Sequence, residues 1–154
     1  MEDIYGDFWA AFLEESGTPN TTVLENYMYF GDSESSSVAA VEQMLRGEKT
    51  AVSRCISYFL TTNQRIPQTG DYTLVTDFYG NPCCIFRTLA VTIAPMPEIS
   101  DALRVQDTPE RSPAEWLTLR QQEYRDLAQR FGFHDHDELP VLMETVELVY
   151  PVKS

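Results

Sequence analysis

The first 45 residues contain no lysine and no arginine, against nine aspartates and glutamates. A stretch so one-sided in charge repels polyanions and argues against tight, non-specific binding of duplex DNA. Cysteine is scarce and its count is odd: Cys55, Cys83 and Cys84, two of them adjacent. That excludes an ordinary disulfide framework and fits a reducing, cytoplasmic setting. The only two histidines sit in His134-Asp135-His136-Asp137. Neighbouring side chains there diverge, and no cysteine or third histidine lies nearby to complete a shell, so the segment reads as a solvated turn; no metal and no cofactor is expected. No apolar run approaches the length of a membrane span. Met1-Glu2-Asp3-Ile4 has neither the basic start nor the apolar core of a secretion signal. Internal repeats are absent, and no Ser-His-Asp or Cys-His arrangement stands out.

What is present is globular. The 154 residues suit a single domain spanning 1–154, and the 43% hydrophobic content, with 16 phenylalanines and tyrosines, supports a real core. The net charge of −13 is unevenly spread. Residues 46–130 hold ten basic and ten acidic side chains, so the middle of the chain is balanced and can carry a local anion-binding pocket.

Ile4, Phe8, Ala11 and Phe12 form one helical stripe ended by Gly17 and Pro19, which predicts an amphipathic helix over 2–16. Asp32 to Ser37 suits a loop or an N-cap; Val38, Val41, Met44 and Leu45 then repeat at helical spacing up to Gly47, a natural residue just past a helix end. From Thr50 the period changes to two, predicting a strand to about Phe59. Tyr72 to Asp77 and Cys83 to Ile93 read as hairpin partners joined by Tyr79-Gly80-Asn81-Pro82, with Pro95 and Pro97 stopping the second. Ile99 to Val105 suits a short helix. Ser112-Pro113-Ala114-Glu115 carries a capping box and opens a helix through Trp116, Leu119, Tyr124 and Leu127 to Gly132. Leu139 to Tyr150 alternates as a last strand. The order predicts an α+β fold: a small barrel or curled sheet decorated by helices.

The joint between helix and strand, Gly47-Glu48-Lys49-Thr50, places a cation where it can meet an anion or cap the preceding helix. It is not a phosphate loop, because Glu48 separates Gly47 from Lys49 and a helix precedes it. Arg54 falls on the same strand face as Thr50 and Val52, and suits either a phosphate or base contact or an ion pair with a carboxylate. Tyr58, Phe59, Tyr72, Phe78 and Tyr79 add aromatic surface on which bases stack; most strand aromatics are core, and Tyr79, in a turn, is the one expected to be exposed.

These motifs, in this order, resemble the ASCH family, whose members have a barrel fold related to PUA RNA-binding domains. Phe8-Trp9 and Phe12 stand where longer members carry an aromatic first helix. Tyr29-Phe30-Gly31-Asp32 is similar to the Phe-Gly-Asp before the second helix, and Gly47-Glu48-Lys49-Thr50 to the Gly-x-Lys-Thr signature. Pro67-Gln68-Thr69-Gly70-Asp71, Gly80-Asn81-Pro82 and Trp116 match the later motifs. The resemblance implies a PUA-like small β-barrel, and a cleft beside Lys49 that takes RNA or a nucleobase-like ligand. It also implies, for some members, hydrolysis of acetylated cytidine or of RNA through a lysine, a threonine three residues later and a glutamate before the late helix. Here the third position after Lys49 is Val52, the glutamate pair falls at Gln106-Asp107-Thr108, and the histidine four residues after the tryptophan is Arg120. Val52 can neither attack nor donate a hydrogen bond.

Three functions compete on this reading. The first is binding of RNA, a nucleobase or a nucleotide-like ligand by Lys49, Thr50, Arg54, Tyr79 and Trp116, with neither duplex DNA nor a membrane as partner. The second is a hydrolase, an N4-acetylcytidine-type amidohydrolase or a ribonuclease, using Lys49, Thr50 and an acid such as Asp107 or Glu110. The third is an interaction module whose acidic N-terminal third binds a basic partner.

Overall fold

The architecture follows from where local signals start and stop each element. The computed structural model describes residues 3–151. Among them the order is α1 (Ile4–Ser16), β1 (Asn26–Tyr29), α2 (Glu34–Leu45), β2 (Ala51–Cys55), α3 (Ile56–Thr61), β3 (Tyr72–Thr76), β4 (Pro82–Pro95), α4 (Asp101–Asp107), α5 (Pro113–Phe131) and β5 (Pro140–Tyr150). The strands form one sheet in the order β1-β3-β4-β5-β2. The fold is α+β, as the pattern of elements implied.

The caps are those the sequence announces. Ser112 and Glu115 cap α5 reciprocally, with Pro113 in its first turn. Ser33 and Ser36 do the same for α2. At the far end of α2, Gly47 takes φ +77°. Its N–H donates to Met44, and that of Glu48 to Gln43, both to backbone carbonyls. This double bond pattern closes the helix and needs a residue without a Cβ penalty. The chain therefore leaves α2 in a fixed direction, with Lys49 as its next step.

Two elements differ from expectation. The strand opened at Thr50 stops at Cys55, and Ile56–Thr61 form a short helix instead. The run Ile56, Tyr58, Phe59, Leu60 fits either period, and the hydroxyl of Thr62 closes the helix by donating to the Tyr58 carbonyl at 2.7 Å. The four-residue β1 had no local signal. It pairs parallel to β3, from Asn26 beside Thr73 to Tyr29 beside Thr76, so its partner is remote in sequence. Glu2, within the expected first helix, lies outside the described residues.

The chain clusters into two compact units. One comprises residues 1–48, 69–89 and 146–154; the other comprises 49–68 and 90–145. Strands β4 and β5 run through both. In the first unit Phe12, Leu74 and Ile85 are buried, with Trp9, Tyr72 and Tyr150 packed around them. In the second, Ala51, Cys55, Val141 and Met143 project from β2 and β5 onto Trp116 and Tyr124 of α5. All three cysteines are free thiols. Burial, reinforced by Cys83 alongside, pushes Cys84 up to about 12, so it packs as an unreactive small side chain.

Candidate functional site

The second unit builds its polar chemistry on the two faces of one strand. β2 pairs antiparallel with β5, Val52 opposite Glu144 and Arg54 opposite Leu142. Alternation therefore puts Val52, Arg54, Leu142 and Glu144 on one face, and Ala51, Ser53, Cys55, Val141 and Met143 on the other. Lys49, two residues before Ala51, reaches the second set.

On that second face a single carboxylate gathers several donors. Asp107, the last residue of α4, is 1% exposed. Its Oδ1 accepts from Lys49 Nζ at 2.8 Å and from the Ser53 backbone N–H at 3.3 Å. Its Oδ2 accepts from the Ser53 hydroxyl at 2.6 Å, from Trp116 Nε1 at 2.8 Å and from Arg120 at 2.9 and 3.2 Å. Lys49 also donates to the Asp107 backbone carbonyl, so its cation caps the end of α4 as well as neutralising the side chain. Trp116 and Arg120 are one turn apart on α5, which is why one carboxylate meets both. The Thr50 N–H donates to the Gln106 carbonyl at 3.1 Å and ties β2 to the same helix end.

The charges of this cluster are unequally held. Burial alone would raise the Asp107 carboxyl, but Arg120 and Lys49, with the Lys49 and Ser53 hydrogen bonds, overcome it and hold the group far below the usual carboxylate range. Arg120 stays cationic: burial opposes its charge, and Asp107 and Glu123 outweigh that. For Lys49, burial is the largest influence and lowers the ammonium, Arg120 adds to the lowering, and Asp107 compensates only in part. Asp107 has two cations and three neutral N–H or O–H donors, whereas the Lys49 ammonium competes with Arg120 for Asp107 and draws a smaller attraction from Glu110. The carboxylate is thus the secure charge and the ammonium the one nearer to releasing a proton.

A pH dependence follows. An unfolded aspartate titrates near about 3.9. A folded value below that means that Asp107 contributes stability fully above about pH 4, and loses it progressively as pH falls toward the folded value. Thermal melts between pH 7 and pH 2 should show a steep fall below about pH 4 that is markedly shallower in Asp107→Asn. Equal acid sensitivity in the two proteins would remove the claim.

The opposite face of β2 holds a second buried pair. Arg54 Nε donates to Glu144 Oε2 at 2.9 Å, the two side chains being 12% and 0% exposed. The guanidinium carbon lies 5.9 Å from the centre of the Phe59 ring. One terminal nitrogen of Arg54 is buried and has no hydrogen-bond partner among the described residues.

The residues singled out in the sequence are therefore divided. Lys49, Asp107 and Trp116 come together, but as a closed cluster: Lys49 is 6% exposed and Trp116 is fully buried. Thr50 and Arg54 belong to the other face of β2. Tyr79 lies in the other unit, 70% exposed. Ser53 is not among the residues singled out, since alternation turns it away from Val52 and Arg54. The same alternation puts it on the side of Lys49, and that signal was readable. Arg120 was visible only as a replaced histidine, although its place one turn after Trp116 marked it. Glu144 had no signal beyond being an acid in an apolar strand. Among the described residues, no group of three or more His, Cys, Asp or Glu side chains is placed to hold a metal ion.

The family model of the ASCH domain matches residues 26–150 and so runs through both units. An ASCH domain from Lactobacillus crispatus JV V101 superimposes with a TM-score of 0.85 at 21% identity, covering 97% of this chain and 96% of that one. Protein EF3133 from Enterococcus faecalis V583 gives 0.84 at 19% identity, covering 94% and 86%. Hypothetical protein PH0355 is more distant, at 0.53 and 13% identity, covering 80% and 98%. Among curated proteins, none is significantly similar. ASCH domains are PUA-like and proposed to bind RNA. No described helix is long and apolar enough to cross a membrane. With the family model matched over residues 26–150 and the fold shared with an ASCH domain structure, this chain belongs to the ASCH domain family.

Proposed function

We propose that this chain binds RNA, a nucleobase or a nucleotide-like ligand without hydrolysing it, and that the ligand meets the exposed part of the Arg54 side chain beside Phe59. The supporting observation is the Arg54 side chain. Glu144 orients it, Phe59 lies beside it, and one terminal nitrogen has an unmet hydrogen bond among the described residues. The part of the guanidinium side chain that stays exposed, 12% of it, is what a carbonyl or phosphate oxygen can reach. Arginine beside an aromatic ring also suits stacking on a base.

Hydrolysis is the second reading, favoured by the lowered Lys49 ammonium, since a proton-accepting lysine needs that direction of shift. Three things weigh against it. Val52 offers no hydroxyl. The Ser53 hydroxyl donates to Asp107, a carboxylate held too far below the usual range to take its proton. Asp107 keeps its charge too firmly to deliver a proton.

The test combines calorimetry with an activity assay. Cytidine 5′-monophosphate and a short oligouridine should bind the native chain, and Arg54→Gln should weaken binding by about tenfold, or about 1.4 kcal/mol. N4-acetylcytidine and labelled RNA should show no turnover above that of a Lys49→Met control. Unchanged affinity in Arg54→Gln sinks the binding reading, and turnover that depends on Lys49 replaces it with the hydrolase.

A further inference from the structure

We infer that the first unit carries a docking strip for an extended, arginine- or lysine-bearing segment of a partner protein, laid along the outer edge of β1. Tyr27 and Tyr29 are alternate residues of β1, point the same way and are both more than half exposed. The β3–β4 turn adds Phe78 and Tyr79, also exposed. Tyr29 meets Phe78 edge-on with ring centres 5.8 Å apart, and Phe78 meets Tyr79 at 5.6 Å. Tyr27 meets Tyr5 edge-on at 5.6 Å. Exposed single apolar residues are ordinary; a run of linked exposed rings from Tyr29 through Phe78 to Tyr79 is not.

The row is also held in place. Asp77 accepts from the backbone N–H groups of Tyr79 and Asn81 at 2.8 and 2.9 Å and from the Asn81 side chain at 3.0 Å, which fixes the turn. The Tyr5 hydroxyl donates to the Gly80 carbonyl at 2.7 Å, and the Tyr79 hydroxyl to Glu34 at 2.9 Å. The Asp77 bonds and the Tyr5–Gly80 bond use no side-chain atom of 78 or 79, so fixing the turn does not require aromatic rings there. Rigid aromatic side chains lose little freedom when a partner covers them.

Charge and backbone decide what that partner is. The unit that bears the strip contains 13 acidic and three basic residues. A polyanion is disfavoured there, and a cation is attracted both by the carboxylates and by the ring faces. β1 lies at the edge of the sheet, paired among the described strands with β3 alone. An added strand would hydrogen-bond to its free edge and bring alternate side chains beside Tyr27 and Tyr29. Basic side chains at alternate positions of an extended segment fit that pattern.

The experiment uses the full chain and a synthetic peptide with arginine alternating with threonine and valine, followed by calorimetry and amide chemical shifts. The peptide is expected to bind with shifts centred on 26–29 and 77–80. The doubly substituted Tyr29→Ser/Phe78→Ser protein should weaken binding at least tenfold, and Tyr27→Arg should weaken it independently by repulsion. A glutamate-for-arginine version of the peptide should not bind. Binding that survives all these substitutions would reduce the effect to bulk charge and overturn the inference. So would absence of binding, oligouridine shifting the same amides in preference to the peptide, or concentration-dependent self-association that buries the strip.

Discussion

Replacing Asp107 by alanine is expected to lower folding stability by about 3–5 kcal/mol, because it removes one partner of a buried ionic group and leaves the others uncompensated. Lys49 and Arg120 would both lose their main counter-charge, their side chains being 5% and 13% exposed. Ser53 and Trp116 would lose their acceptor. Asp107→Asn keeps the shape and one acceptor oxygen, and should fall between alanine and the native chain. Urea unfolding monitored by tryptophan fluorescence measures both. A loss near that of an ordinary surface substitution would mean that water or another group readily replaces the carboxylate. One corollary concerns Lys49. Its removal strips a counter-charge from the same cluster, so Lys49→Ala is expected to lower the melting temperature, and any loss of binding in that variant reports on folding as much as on ligand contact.

Trp116→Ala should cost a similar amount, about 3–5 kcal/mol, through the cavity left by a fully buried ring. Trp116 packs in the core of the second unit with Tyr124 and Met143, while the Arg104 guanidinium lies 5.1 Å from its ring centre. Trp116→Phe separates packing from hydrogen bonding. It keeps most of the apolar contact and loses the indole N–H to Asp107, which is worth about 1.5–3 kcal/mol for a charged acceptor. Denaturation midpoints of the two variants check this. If alanine and phenylalanine cost the same, the hydrogen bond carries the whole effect and the packing account is wrong.

The legible part of this protein is its punctuation. Gly47, Ser112-Pro113 and the proline pair at 95 and 97 each act through a local backbone effect, and each stops or starts an element close to where the sequence placed it. The short parallel β1 and the switch from strand to helix at Ile56 depend on partners elsewhere in the chain, so no window of neighbours reveals them. The same divide runs through the site. Lys49 and Asp107 were both recognisable as charged residues at family positions, but their pairing across 58 residues, and the consequent withdrawal of Lys49 from solvent, is a fact of packing. Asp107 and Arg120, which the resemblance set beside the glutamate pair and at the histidine, form an ion pair with each other.

Lys49, Ser53, Asp107, Trp116 and Arg120 hold the fold, and the proposed ligand contact falls to Arg54 on the opposite face of β2. One titration reads both faces together. In a nitrogen-15 spectrum of the native chain with added oligouridine, the Arg54 Nε–H and the amides of 54, 59, 142 and 144 should move, while the Trp116 indole N–H and the Arg120 Nε–H stay fixed. Movement of the Trp116 and Arg120 signals with Arg54 unmoved would contradict the account and put the ligand at the Lys49 cluster.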